Sequence, residues 1–274
     1  MKILFGYFVI NFVFITLSSN SKLYHEIFYT RADPRIRDKL LMGDPAPILI
    51  ISTTLILFLT VILRKFMKNR EPFRLKNFEL FMNFIYSAIS VYFFIKSSKF
   101  YVFHYSWKCE KIDTSDSPLA LEAVYTSYFY FITKFIFIIE NVLIELKKND
   151  TSFVIFALVH HFMYPFIIWH TINYFPSGQP LFYMFVNSLA HIVMFPMKLY
   201  VAYFTPKWIR YKAQIGVAYM AFQFLTASAH EFYTFFNNDC NIPNVYFLFA
   251  IGYTVMLLTS LSGVVFFDQK KKMC

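Results

Sequence analysis

Residues 46–76 read APILIISTTLILFLTVILRKFMKNREPFRLK, an uncharged apolar run from Ala46 to Leu63 followed at once by Arg64, Lys65, Lys68, Arg70, Arg74 and Lys76. A helix needs about 20 mainly apolar residues to cross about 30 Å of hydrocarbon. A run of that length with cations crowded at one end reads as a membrane span whose basic side is marked. Six more windows of this kind follow, at about 78–97, 122–144, 152–173, 181–204, 214–236 and 245–267. They occupy most of the chain and predict one all-α, polytopic membrane domain over 46–267, with no separate soluble domain.

Composition agrees and excludes the other classes. Apolar residues are 58% and charged residues 15% of the 274, and a soluble fold would have to hide 37 Phe and 20 Tyr in one core. Hydrocarbon can solvate those rings from outside. Disorder is excluded by hydrophobicity, and a disulfide scaffold by a count of only three Cys. The net charge of +10 could suggest nucleic acid, but the basic residues stand in short clusters between apolar runs. They therefore mark topology, and no nucleic-acid partner is expected.

The clusters alternate. Lys147 and Lys148, then Lys207, Arg210 and Lys212, then Lys270, Lys271 and Lys272 share a side with the 64–76 loop, taken as cytosolic. Loops 174–180 and 237–244 carry no Lys or Arg, and 98–121 mixes both signs. The 20–45 segment, with Arg31, Arg35, Arg37 and Lys39, is the exception on the luminal side. Residues 1–19 run apolar from Ile3 to Leu17 into Ser18-Ser19-Asn20-Ser21, which fits a cleaved signal peptide or an additional hydrophobic helix. Both readings leave 20–45 luminal.

The tail 268–274 ends Lys271-Lys272-Met273-Cys274, similar to the cytosolic dilysine retrieval signal of endoplasmic reticulum membrane proteins. Cys109 and Cys240 fall in two luminal loops in an oxidising compartment and are expected to form a disulfide; Cys274 is expected to be a free cytosolic thiol. Asn149-Asp150-Thr151 lies on the cytosolic side and should carry no glycan.

Polar groups at bilayer depth are costly and therefore candidates for function. His160 and His161 lie in the fourth window; Asn187 and His191, four residues apart on one helical face, lie in the fifth. The short connection between these windows suggests adjacent antiparallel helices whose imidazoles converge. Clustered neutral imidazoles offer metal ligation, proton transfer or nucleophilic attack on an activated carbonyl. A di-iron centre needs more His than the seven present, and His25, His104 and His170 fall near the luminal side. No metal is expected. His230 beside Glu231 reads as structural. Lys134 and Glu140, six residues apart, do not share a helical face, so each should look across to another helix or to substrate.

The chain resembles the very-long-chain fatty acid elongase (ELO) family over about 44–267. Met67-Lys68-Asn69-Arg70-Glu71-Pro72-Phe73 is similar to that family's Asn-Arg-x-Pro-Phe signature. Asn83-Phe84, Ser115-Asp116-Ser117-Pro118, Lys134, Leu146-Lys147-Lys148, the His160-His161 pair with Trp169 eight residues on, and Asn187-Ser188-Leu189-Ala190-His191 follow in family order.

The resemblance implies an endoplasmic reticulum enzyme that condenses a long-chain acyl-CoA with malonyl-CoA, releasing CoA and carbon dioxide to give a 3-ketoacyl-CoA. It implies seven transmembrane helices, six in an inverted barrel around a closed acyl tunnel, with CoA entering from the cytosol. It implies no cofactor beyond the substrates. By position, His160 is the nucleophile that takes the acyl group, His161 and His191 are its neighbours, and Asn187 orients them. Lys134 and Gln214 belong to the substrate site by the same carry-over. Lys147, Lys148, Lys207, Arg210 and Lys212 suit CoA phosphates, though the positive-inside bias accounts for them as well. Membrane lipid surrounds the domain, and other elongation-cycle enzymes or a second copy are the protein partners implied.

The sequence departs from the family pattern in several places. The family's His-x-x-His-His box reads Ala157-Leu158-Val159-His160-His161; its Lys-x-x-Glu-x-x-Asp-Thr becomes Lys134 with Phe137, Glu140 and Asn141; the second Gln of Gln-x-x-Gln is Val217; and Lys198 stands where a Tyr is expected. Two readings follow: an active, divergent elongase, or a catalytically silent relative that binds acyl-CoA or elongation partners.

Overall fold

The computed structural model describes residues 22–148, 153–204 and 212–273, without the side chains of 153–159, 161, 201–204, 212–217 and 263–273. Every secondary-structure element among these residues is helical. The expectations for residues 1–19, for the 149–151 sequon, for Lys207 and Arg210, and for Cys274 lie outside the described residues, as do the side chains of His161, Lys212 and Gln214.

Helix α1 spans Ala46–Met67, with a π-helical stretch at Phe58–Leu63. Helix α2 is Lys76–Phe103, α3 is Pro118–Phe137 and α4 is Ile139–Leu146. Helix α5 is Phe153–Tyr174, α6 is Pro180–Phe204, α7 is Lys212–Phe236 and α8 is Asn244–Met273. Among the described residues, α1, α2, α6 up to Tyr200 and α8 up to Ser262 are long and apolar enough to cross a membrane. Together with the helices over the other windows, they make this a multi-pass membrane protein.

Local chemistry sets the ends and breaks. Ser117 caps α3 by accepting from Ala120 N at 3.2 Å, with Pro118 at the first helical position, where its missing N–H costs nothing. The third window does not form one helix. Ile138 N bonds Phe135 O and Asn141 N bonds Ile138 O, three-residue steps that tighten the turn and separate α3 from α4. Pro165 in α5 and Pro196 in α6 each remove one backbone donor inside a helix.

Helices α2, α6, α7, α8, α5 and α3 pack in that cyclic order, and α3 returns to α2 to close a six-helix ring; α1 lies outside it, against α4 and α5. The ring order corrects one expectation. Helices α5 and α6, although joined by a short loop, do not pack side by side: α5 lies between α3 and α8, and α6 between α2 and α7. They face each other across the interior. Outward faces carry Phe81, Phe84 and Ile95, which is what a lipid-facing surface allows.

The two ends of the ring differ. At one, Cys109 and Cys240 are joined by a disulfide of 2.05 Å. The exceptional cations of 20–45 gather at this disulfide end, already partnered: Arg31 pairs Glu26, Arg37 lies beside Asp38 and over the Tyr29 ring, and Lys39 lies over Tyr125. Arg35 pairs Asp33 at 2.6 Å, both side chains 7% exposed, and donates to the carbonyls of Asp113 and Ser115. Gly43, at φ +70, ties the 20–45 segment to α5 by donating to Asn173 Oδ1 at 2.9 Å.

At the opposite, basic end, Arg64 grips Glu145 at 2.7 Å and Phe73 N bonds Leu146 O at 3.1 Å, fixing the first basic loop to α4.

Candidate functional site

The interior of the ring meets the histidines in a small cavity lined by Lys134, Phe137, His160, Tyr164, Pro165 and His191. Three helices contribute: α3 brings Lys134, α5 brings His160, and α6 brings His191 with Asn187 one turn away. His160 and His191 are both buried. They stand on opposing walls, so the convergence expected of neighbouring helices is achieved by opposed ones.

A hydrogen-bond network of tyrosines ties the walls together. Asn187 Oδ1 accepts from Tyr130 Oη at 2.6 Å and from Lys134 Nζ at 3.1 Å. Tyr130 Oη and Tyr164 Oη lie 2.8 Å apart, and Tyr253 Oη on α8 meets His160 Nδ1 at 3.1 Å. The rings stack as well: His160 on Tyr164 at 5.1 Å, and His191 on Phe137 at 5.3 Å. Lys134 Nζ lies 3.8 Å from the Tyr130 ring centroid and 5.1 Å from that of Tyr164. Asn187 was expected to orient the histidines; its carbonyl instead holds Lys134 and Tyr130.

Tyr130, Tyr164 and Tyr253 also line a second cavity, on the side toward the disulfide end, whose other walls include Ile167, Ile168, Ile172 and Met184. A small cavity carrying imidazole and amine groups beside a mainly apolar one suits a ligand with a reactive head and a hydrocarbon tail.

The structure separates the remaining candidates from this cluster. Lys147 pairs Glu79 at 2.5 Å and Lys148 donates to Lys68 O at 3.4 Å, both at the basic end. Lys134 and Glu140 both reach α6, because the break at Ile138 turns α4 relative to α3: Lys134 meets Asn187, and Glu140 pairs Lys198. Lys198, the residue in place of the family's Tyr, thus has a carboxylate partner. Among the described residues no group of three or more His, Cys, Asp or Glu is placed to hold a metal.

Tyr130, Tyr164 and Tyr253 were missed from sequence, where a Tyr in an aromatic-rich span carries no polar signal. The one available sign was spacing: Tyr130 precedes Lys134, and Tyr164 follows His160, by one helical turn each.

Comparison with known proteins agrees with this geometry. The model of the ELO: GNS1/SUR4 family matches residues 40–267. Very long chain fatty acid elongase 7 of Rattus norvegicus is 29% identical over 245 residues, covering 87% of this chain and 85% of the rat protein. Very long chain fatty acid elongase 1 of Homo sapiens is 31% identical over 227 residues, covering 80% and 79%. That of Mus musculus is 35% identical over 176 residues, covering 63% and 62%. A match of this extent, on a closed ring with its imidazoles inside, means that the chain belongs to the ELO: GNS1/SUR4 family.

Proposed function

We propose that this protein elongates fatty acids as a 3-ketoacyl-CoA synthase, condensing a long-chain acyl-CoA with malonyl-CoA through an acyl-imidazole on His160. The observation that carries the reading is the placing of His160, His191 and Lys134 around one cavity, with Tyr164 shared between its wall and that of a mainly apolar cavity beside it.

A thioester is already activated, so a neutral imidazole suffices as nucleophile. With Nδ1–H donating to Tyr253 Oη, the lone pair of His160 sits on Nε2. Nε2 attacks the thioester carbonyl, the C–S bond breaks, and CoA leaves as thiolate, which takes up the proton released from the imidazole. Lys134 Nζ supplies a donor to the oxyanion that forms. Loss of carbon dioxide from malonyl-CoA then leaves the electron pair on its C2, which attacks the acyl carbon. The C–N bond to His160 breaks, the departing ring nitrogen takes up one proton from solvent to restore the neutral imidazole, and 3-ketoacyl-CoA forms. Phe137, Tyr164 and the α5 and α8 walls exclude water from the acyl-enzyme.

Lys147, Lys148, Lys207 and Arg210 serve the CoA phosphates in this reading; Lys147 would exchange Glu79 for phosphate. The protein resides in the endoplasmic reticulum membrane with the basic end and the C-terminus cytosolic. Purified full-length protein given labelled acyl-CoA should release free CoA and gain an acyl adduct that maps to His160, and His160→Ala should remove both. Adduct formation that persists unchanged in His160→Ala overturns the assignment. Acyl-CoA retention without any adduct favours the silent alternative, in which the same chamber only binds.

A further inference from the structure

The chamber's far wall, at the disulfide end, is not apolar. Tyr183 lies three residues into α6 and Tyr246 two into α8, within about 5 Å of the disulfide-end edge of their helices. Both line the larger cavity. Tyr246 Oη donates to Glu231 Oε1 at 3.0 Å, and that residue is 2% exposed. The second Glu231 oxygen and the Tyr183 hydroxyl meet no partner with hydrogen-bond geometry among the described residues.

The donors nearest to them give their hydrogens elsewhere. Gln179 Nε2 directs its hydrogens to His230 Nδ1 at 3.1 Å and Thr234 Oγ1 at 3.2 Å; Thr254 Oγ1, beside Tyr183, donates to Ala250 O at 3.0 Å. A floor that met only a methyl end would leave buried polar atoms unpaired, at about 1–3 kcal/mol each. Phe at 183 would then suit the site better than Tyr.

We propose that this floor is a polar subsite for an acyl chain carrying a hydroxyl at its far (ω) end. Tyr183 O–H donates to the substrate oxygen. The substrate O–H donates to the oxygen of Tyr246, whose own proton is committed to Glu231. One hydroxyl, which gives and accepts, pairs the Tyr183 hydroxyl and adds a second bond to Tyr246; a methyl leaves Tyr183 unpaired. The proposal rests on reading the chamber as the acyl site.

The test compares an unsubstituted saturated acyl-CoA with its ω-hydroxy counterpart of the same chain length, each titrated against purified full-length protein in detergent, with retention of the thioester as readout. The ω-hydroxy form should be retained about tenfold more tightly, about one hydrogen bond's worth. Tyr183→Phe, which removes a single oxygen, should bring that ratio close to one, and so should Glu231→Gln if it folds. Because the readout is a ratio at equal length, a general loss of stability does not move it. A ratio near one in the unaltered protein means that water alone fills the floor and overturns the subsite while leaving the acyl chamber intact. A ratio unchanged in Tyr183→Phe also overturns it. Retention of neither thioester overturns the acyl-site reading and the subsite with it.

Discussion

Lys134 Nζ ends 3.1 Å from Asn187 Oδ1, joining α3 to α6 through the interior of the ring. Tyr130 Oη donates to the same oxygen at 2.6 Å, so a single side-chain carbonyl satisfies two buried donors from one helix. Asn187→Leu strips the acceptor from both; Tyr130 Oη keeps Tyr164 as a partner at 2.8 Å, so the loss falls on Lys134 and should lower stability by about 1–3 kcal/mol. Asn187→Asp keeps an oxygen in place and should lose far less. Thermal unfolding in detergent distinguishes them; equal melting of Asn187→Leu and the unaltered protein would remove Asn187 from the network.

Tyr253 Oη on α8 meets His160 Nδ1 at 3.1 Å, and in the proposed reaction it would orient that imidazole. Tyr253→Phe keeps the ring that stacks on Tyr164 and removes only the hydroxyl. Acyl-adduct formation on His160 should slow by about tenfold, the loss of about one hydrogen bond. Retention of acyl-CoA should change little. Rapid-quench mass spectrometry reads the first and equilibrium retention the second; a larger fall in retention than in adduct rate contradicts an orienting role.

The Lys198–Glu140 pair bridges α6 and α4 just past the Ile138 break, with side chains 33% and 18% exposed. Removing one partner leaves a partly buried charge behind. Lys198→Met or Glu140→Leu alone should therefore cost about 2 kcal/mol, less than for a fully buried pair because water reaches Lys198. The double variant Lys198→Met with Glu140→Leu should recover most of that loss. Unfolding midpoints of the three variants give the coupling, and additive losses would show that the pair does not act as a unit.

Two carboxyls in the loop before α3 respond to acid with opposite signs. Hydrogen bonds from Ser115 hold Asp113 below its ordinary pKa, so its contribution to stability is present above the unfolded value and disappears as pH falls through the lower native one. Burial pushes Glu110 up, so the native state takes its proton first and Glu110 favours the fold as pH falls. Asp113→Asn should flatten acid destabilisation of the disulfide end. Glu110→Gln should raise stability at neutral pH and make the acid loss steeper. Melting temperature followed from neutral pH into the carboxylate range checks both slopes, and parallel curves for the two variants would contradict the assignment.

The sequence by itself determined the helical membrane class and the approximate spans, because apolar length and loop charge are properties of each segment alone. It also singled out His160, His191, Lys134 and Asn187, since a polar side chain at bilayer depth stands out against its own helix. Only the tertiary structure decided the order of the ring. Lipid outside and a greasy chamber inside are equally apolar, so α5 and α8 carry no periodic contrast to say which face turns inward. For the same reason Tyr130, Tyr164 and Tyr253 became part of the site only once opposing walls were in place, and the Tyr183–Tyr246–Glu231 floor appeared only where three distant segments met.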